Sequence, residues 1–282
     1  MRNKLIYIAT ILLLASCDER DFYIPTTGDG QIIERPGQAI ASVTSTTVEN
    51  AQVFFYASGK PSINTTTGIP VDIEAGTYQV VIVTDNENIE IEGTTAALPA
   101  TEDGETIQAP AFYAGVGNMV VKEGEVTKLS IPVHPMTREV RFQFSIRGIS
   151  SDEIQGIEVL LYGILARCDL SEGFTESPTP RSATPLYYIR TTPEQKEDNY
   201  YTEMRLLGID TTQKQEVTIH ITGTNGSMYT FTEDVSSSLT GFNQGYADIA
   251  LVMQTEIVLD LNEITGSIKP WIPGNEDDIP ME

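Results

Sequence analysis

The residue with the clearest chemical assignment is Cys17, which closes the run Leu14-Ala15-Ser16-Cys17. Arg2 and Lys4 precede an apolar stretch from Leu5 to Leu14. Ala15 and Ser16 leave room for a peptidase beside a cysteine whose sulfur carries a thioether-linked lipid. The apolar stretch is about ten residues, half the roughly twenty that span hydrocarbon as a helix. This layout predicts a lipoprotein signal peptide over residues 1–16, removed from the working protein, and acylation of Cys17. Two or more acyl chains hold a protein to a membrane durably, whereas one binds marginally.

The remaining side chains with reactive potential are few. Cys168 is the only other cysteine, so acylation of Cys17 leaves no disulfide to form within the chain. It lies in Leu165-Ala166-Arg167-Cys168-Asp169-Leu170, a strand-like run in which cysteine acts as a small buried hydrophobe. His134 and His220 sit in Pro-Val-His-Pro and Val-Thr-Ile-His-Ile-Thr, without the paired spacing of a zinc or copper site. His220, between two isoleucines on a strand, is expected to face outward. Asp85-Asn86-Glu87-Asn88 and Asn275-Glu276-Asp277-Asp278 supply oxygen donors but lack the twelve-residue calcium loop with its glycine and final bidentate glutamate. They read as solvated turns.

No Gly-x-Ser-x-Gly elbow, phosphate-cradling loop or dinucleotide fingerprint occurs. A glycosidase pair is defined by spacing in the fold, so the 40 acidic residues leave that chemistry open. A single tryptophan, Trp271, argues against an aromatic-lined sugar cleft. Tyr187-Tyr188 and Tyr200-Tyr201 could offer rings to a glycan, but on a strand each pair sends one ring inward and one outward. The chain is therefore read as no enzyme, with no cofactor and no metal.

The elements that carry these residues are strands. No segment after residue 40 sustains a 3.6-residue apolar period for three turns, while short runs rich in Val, Ile, Thr, Tyr and Phe alternate with Gly, Pro and Asn. Expected strands in a first series are 52–57, 77–84, 89–92, 117–122 and 126–133. A second series runs 139–146, 154–165, 183–190, 202–207, 215–222, 228–234, 256–261 and 264–272. In Glu139 to Ile146, Val140, Phe142, Phe144 and Ile146 share one face. Pro132 and Pro135 break any ladder between the series, which sets a boundary after residue 135.

The expected organisation is a signal peptide 1–16, a lipidated tether 17–37, a β-sandwich 38–135, a second β-sandwich 136–273 and an acidic tail 274–282. No fixed-period repeat argues for a solenoid. The formal charge of −23 becomes −25 once Arg2 and Lys4 leave with the signal peptide. Such a surface repels phosphate backbones, and no basic patch with interleaved aromatics exists, so nucleic acid is excluded as a partner.

Several motifs carry a family likeness. Asp18-Glu19-Arg20-Asp21, directly after Cys17, resembles the acidic tag that sends Bacteroidetes lipoproteins to the outer face of the outer membrane. The passage Ile157 to Gly163 followed by Ala166 to Gly173, and the ending Ile257 to Trp271 with Ile272-Pro273-Gly274 and acids, resemble the fimbrillin superfamily of Bacteroidetes, above all its lipid-anchored accessory subunits. The resemblance implies two tandem transthyretin-like β-sandwiches and assembly with other fimbrial subunits by β-strand donation. It implies a surface-exposed, outer-membrane anchor or accessory subunit of a fimbria (pilus), with a role in cell adhesion. In structural subunits of that family an arginine-specific protease removes the N-terminal strand. Arg35 is the matching arginine here, but Pro36 follows it and disfavours cleavage, which points to a subunit that keeps its lipid. The competing reading is a glycan- or protein-binding surface lipoprotein.

Overall fold

A computed structural model describes residues 37–84, 88–171, 186–243, 250–259, 264–266 and 268–270. The expected signal peptide, Cys17, Arg35, Trp271 and the acidic tail lie outside the described residues, as do residues 85–87 and 275–278 of the two candidate calcium turns. The described elements are almost entirely strands.

In chain order the first eleven are β1 (Gln38–Thr44), β2 (Gln52–Tyr56), β3 (Ile63–Thr66), β4 (Val71–Glu74), β5 (Gly76–Val83), β6 (Glu90–Glu92), β7 (Thr95–Ala97), β8 (Glu105–Thr106), β9 (Tyr113–Val121), β10 (Val126–Ser130) and β11 (His134–Pro135). The rest are β12 (Arg138–Arg147), β13 (Ile154–Tyr162), β14 (Arg167–Asp169), β15 (Tyr188–Thr191), β16 (Glu194–Lys196), β17 (Asn199–Leu206), β18 (Glu216–Gly223), β19 (Met228–Asp234), β20 (Leu251–Leu259), β21 (Ile264–Thr265) and β22 (Lys269–Pro270).

Two sheets enclose the first core. One has the order β10-β1-β4 and the other β11-β9-β5-β2-β3. Ala39, Ala41, Val43 and Ile73 from the first meet Val53, Phe55, Tyr78, Val80, Ile82, Met119 and Val121 from the second. Period-two alternation accounts for this, because every second side chain of a strand points to one face. Gly117 and Gly115 stand where Ile131 and Pro132 pass close over β9. A Cβ on Gly115 would run into the Pro132 carbonyl oxygen, so the close approach requires glycine.

The second core lies between the sheet β16-β17-β12-β20-β21, with β22 also on β20, and the sheet β19-β18-β13-β15-β8. Val140, Phe142 and Phe144 of β12 are buried as their alternation predicts, and Ile146 packs partly buried beside them. Opposite stand Ile157, Val159, Leu161, Ile189, Val217, Ile219, Ile221 and Phe231. Phe144 stacks on Tyr200 with ring centroids 5.5 Å apart, within the range at which aromatic pairs add to burial. Both cores are β-sandwiches, and the protein is all-β.

A third cluster joins them. Val81 and Val83 of β5 point away from the first core into a group with Ala96, Leu98, Ala109, Phe112, Met136, Leu170 and Leu207. This explains the unbroken apolar run Val80 to Val83, all four fully buried: β5 is a wall between two cores, so both faces must be apolar. The chain enters β12 through Met136 and Thr137, which are themselves buried. The segment Ile89–Glu92, read from sequence as part of the first series, pairs through β7 with β14 of the second. Farther along, β8 runs parallel to β15. Strands of two or three residues carry no pattern that declares a partner, so these pairings follow from the junction and not from local sequence.

Candidate functional site

The family likeness turns on the N-terminal strand, and β1 holds an unusual seat. It is the middle strand of its sheet, parallel to β10 from Ile40–Val126 to Thr44–Ser130 and antiparallel to β4 from Gln38–Glu74 to Ala41–Val71. Further backbone bonds fix its ends. Ala75 N–H donates to the Gly37 carbonyl at 2.6 Å, and Gly124 N–H to that of Gln38 at 2.9 Å. At the other end Gly68 N–H donates to Val43 at 2.8 Å and Ile131 N–H to Thr44 at 3.0 Å. Withdrawing β1 would bare the facing edges of β10 and β4, about 9.5 Å apart at the usual strand spacing. It would also uncover Ile73, Phe55 and Val53 beneath. That is the shape of a slot for one added strand.

The small side chains of β1 suit that position. Ala39, Ala41 and Val43 point inward, and together they bury less than a single phenylalanine plus a valine would. What holds β1 is chiefly its two backbone ladders. Both of its edges are paired and its inward face is buried, so in this molecule the slot is full.

A second feature is an open groove of about 620 Å³ on the outward face of the sheet containing β13. Residues of β13 alternate here: Ile157, Val159 and Leu161 enter the core, while Glu158, Leu160 and Tyr162 line the groove. Beside them stand Tyr188 and Arg190 of β15, His220 and Thr222 of β18, Met228 at the start of β19, and Leu186 and Asp103 from adjoining segments. Register places Glu105, Tyr188 and Tyr162 in one cross-strand row, and Thr230, His220 and Glu158 in another. The Tyr162 and Tyr188 rings lie 4.9 Å apart, tilted by 34°.

The polar groups of the groove are tied to one another. Tyr188 Oη donates to Asp103 Oδ2 at 3.1 Å and to Glu105 Oε2 at 3.2 Å. Arg190 lies between Glu105, at 3.3 Å, and Glu158, at 3.4 Å. Hydrogen bonds from Thr101 and Tyr188 hold the Asp103 carboxyl below its usual range, and partial burial raises the Tyr162 phenol above its own. All the strands that carry the groove are hydrogen-bonded to one another, so it is a concavity on a closed sheet face and not a vacant strand position.

The other residues weighed from sequence scatter. His134 sits half-buried on the edge strand β11. His220 is half-buried on the outer face, its Nδ1 3.0 Å from Thr230 Oγ1. Cys168 packs half-buried against the junction cluster, where burial, reinforced by the Asp169 charge, pushes its thiol up to about 12. A thiol shifted that way stays protonated at neutral pH. Both tyrosine pairs split as alternation requires. Tyr200 stacks in the core while Tyr201 receives Lys196 at 5.6 Å from its ring centroid. Tyr188 lines the groove while Tyr187 packs against the core. Glu158, Tyr162, Arg190 and Asp103 gave no sequence motif; the outward half of β13's alternation is a signal for Glu158 and Tyr162 alone, and no local pattern points to Arg190 of β15 or to Asp103.

Comparison with known proteins adds the following. The family model described as "Fimbrillin-A associated anchor proteins Mfa1 and Mfa2" matches residues 17–277. No curated protein matches. Among solved structures, the fold is similar to that of a candidate adhesin from Bacteroides ovatus ATCC 8483 (TM-score 0.55, 12% identity, covering 81% of this chain and 91% of that one). It is also similar to the fimbrial anchor protein Mfa2 from Porphyromonas gingivalis (TM-score 0.51, 10% identity, 84% and 98%). A third is described as a candidate polysaccharide-binding protein from Bacteroides thetaiotaomicron VPI-5482 (TM-score 0.50, 11% identity, 85% and 99%). At these identities the structures speak to fold alone.

Proposed function

Because the chain belongs to the family of fimbrillin-A associated anchor proteins, we propose that it is a lipid-anchored fimbrial anchor or accessory subunit, acylated at Cys17 on the outer face of the outer membrane. The family's role is fimbrial anchoring and adhesion, which is non-enzymatic in kind. In this reading the tether 17–37 leads into two sandwiches, 38–135 and 136–273, and neighbouring fimbrial subunits join by β-strand exchange.

The observation that carries the proposal is the filled seat of β1 in a chain with no arginine in the loop after that strand at which a protease could empty it. A subunit in the middle of a strand-exchange filament must present an empty slot to the next subunit. A subunit that keeps its own strand ends the series, as the fixed end of a fimbria does. The position of the arginines supports the same role. No arginine lies between Arg35 and Arg138, so an arginine-specific protease has no site in the loop that follows β1. Cleavage at Arg35 would sever the lipid and still leave β1 in place. Pro36 disfavours that cleavage, so in this reading lipid and body stay together, and Cys17 serves as the mechanical attachment as well as the sorting mark.

The test is the N-terminus of the protein recovered from intact cell surfaces. Mass spectrometry should find a first residue of Cys17 carrying acyl chains. A mature protein beginning at Pro36, or anywhere beyond β1, overturns the anchor reading.

A further inference from the structure

The groove on the β13 sheet has no part in strand exchange, since β13, β15 and β18 are each paired on both edges. A peptide strand laid across that face would find no free backbone partners, which removes the main-chain bonding that gives added strands their affinity. Its chemistry must be read from the side chains. Leu160 and Tyr188 form a floor almost closed to solvent, the tilted Tyr162–Tyr188 pair supplies an aromatic edge, and Met228 and Leu186 stand exposed at the rim. Around this apolar base, three carboxylates and one guanidinium are held by their mutual bonds. These are acceptors and donors fixed before any ligand arrives, which reduces the ordering cost of binding.

The charge balance narrows the ligand. Asp103, Glu105 and Glu158 against Arg190 leave the groove negative, so phosphates and acidic sugars are repelled. Arg190 already sits between two of the carboxylates, so a second cation would meet it. A neutral molecule that pairs hydroxyl groups with carboxylate and guanidinium, and offers apolar C–H faces to tyrosine and methionine, satisfies every element. A volume of about 620 Å³ lies in the range that accepts a compact ligand of two or three rings.

We propose that this groove binds a neutral carbohydrate through its pyranose rings, with the half-buried Tyr162 ring, backed by Tyr188, packing against a sugar face and Glu158, Asp103 and Arg190 engaging hydroxyls. The activity is separate from anchoring and does not depend on the β1 seat, so either can fail without the other.

The experiment uses saturation-transfer NMR and titration calorimetry on the mature chain with a panel of neutral oligosaccharides two to four units long in gluco, galacto and manno configurations. Sialylated and uronic-acid oligosaccharides serve as controls. Binding of at least one neutral member is expected, with at least tenfold weaker binding in Tyr162→Ala and in Glu158→Gln, the second being a half-exposed position whose change leaves the fold intact. Val120→Ser, on an exposed position of β9, should bind as the parent does. The proposal is overturned if no neutral member binds, if acidic sugars bind as well as neutral ones, or if both groove variants bind unchanged. Loss of capture of a protein partner in the groove variants, without any sugar binding, also overturns it.

Discussion

The two sandwiches are built on one plan and filled differently. In each, the first strand lies in the middle of its sheet, with an antiparallel neighbour on one side and the last long strand running parallel on the other. For β1 these are β4 and β10, and for β12 they are β17 and β20. The ladder of β12 spans Arg138 to Ser145 on one side and Val140 to Arg147 on the other. Its inward face carries Val140, Phe142 and Phe144, each buried. The ladder of β1 is half as long, and its inward face carries two alanines and one valine. Burial of a large apolar side chain contributes about 1.5–3 kcal/mol, so β12 is locked by packing while β1 is held mainly by backbone hydrogen bonds. A strand held that way is replaceable by any strand of suitable shape, since main-chain bonds do not depend on sequence. The difference separates an element that specifies the fold from one that the proposed strand exchange would act on.

The largest effect should come from the locked strand. Phe144→Ala leaves a cavity against Tyr200 and should cost about 3–5 kcal/mol, measured as a fall in the urea midpoint followed by aromatic circular dichroism. Gly115→Ala tests how the first sandwich closes beside the seat of β1. Its new methyl meets the Pro132 carbonyl, and overpacking of this kind costs about 1–3 kcal/mol. Val43→Ala removes two buried methyl groups from β1 itself and should cost only about 1–2 kcal/mol. If Val43→Ala proves as damaging as Phe144→Ala, the contrast between the two seats is wrong.

The smallest expected effect concerns the junction. In a chain beginning at Asp18, Cys168 is the sole thiol, and burial pushes it up to about 12. At pH 8 it is therefore neutral, and iodoacetamide should leave it unmodified in the folded protein and alkylate it in denaturant. Rapid alkylation without denaturant would mean that the cluster between the sandwiches opens readily.

The comparison also explains what was legible in the sequence. β12 was visible because large apolar side chains alternate with polar ones over eight residues. β1 was not, because Ala39, Ala41 and Ser42 are too small and too mixed to mark a face. The same small side chains that make it replaceable make it inconspicuous. Strand β5 was found, but the meaning of its apolar run, two cores meeting at one strand, required knowing what lay behind it. The groove was hidden for another reason: Glu105, Tyr188 and Tyr162 share a row only through pairings that join residues 26 to 83 positions apart, and no local pattern encodes such a row. His220 was read as outward-facing, and it lies on the groove's wall, a location that alternation could predict while the groove itself could not be.

The most direct measurement of the central claim is hydrogen–deuterium exchange over Gln38–Thr44, compared between the isolated mature chain and the chain assembled at the base of isolated fimbriae. A subunit that keeps its own first strand should protect those amides equally in both states. Amides that are protected in the isolated chain and exchange at the solvent rate in the fimbria would mean that a partner's strand has taken the seat, and the chain would then be an internal subunit of the filament and not its fixed end.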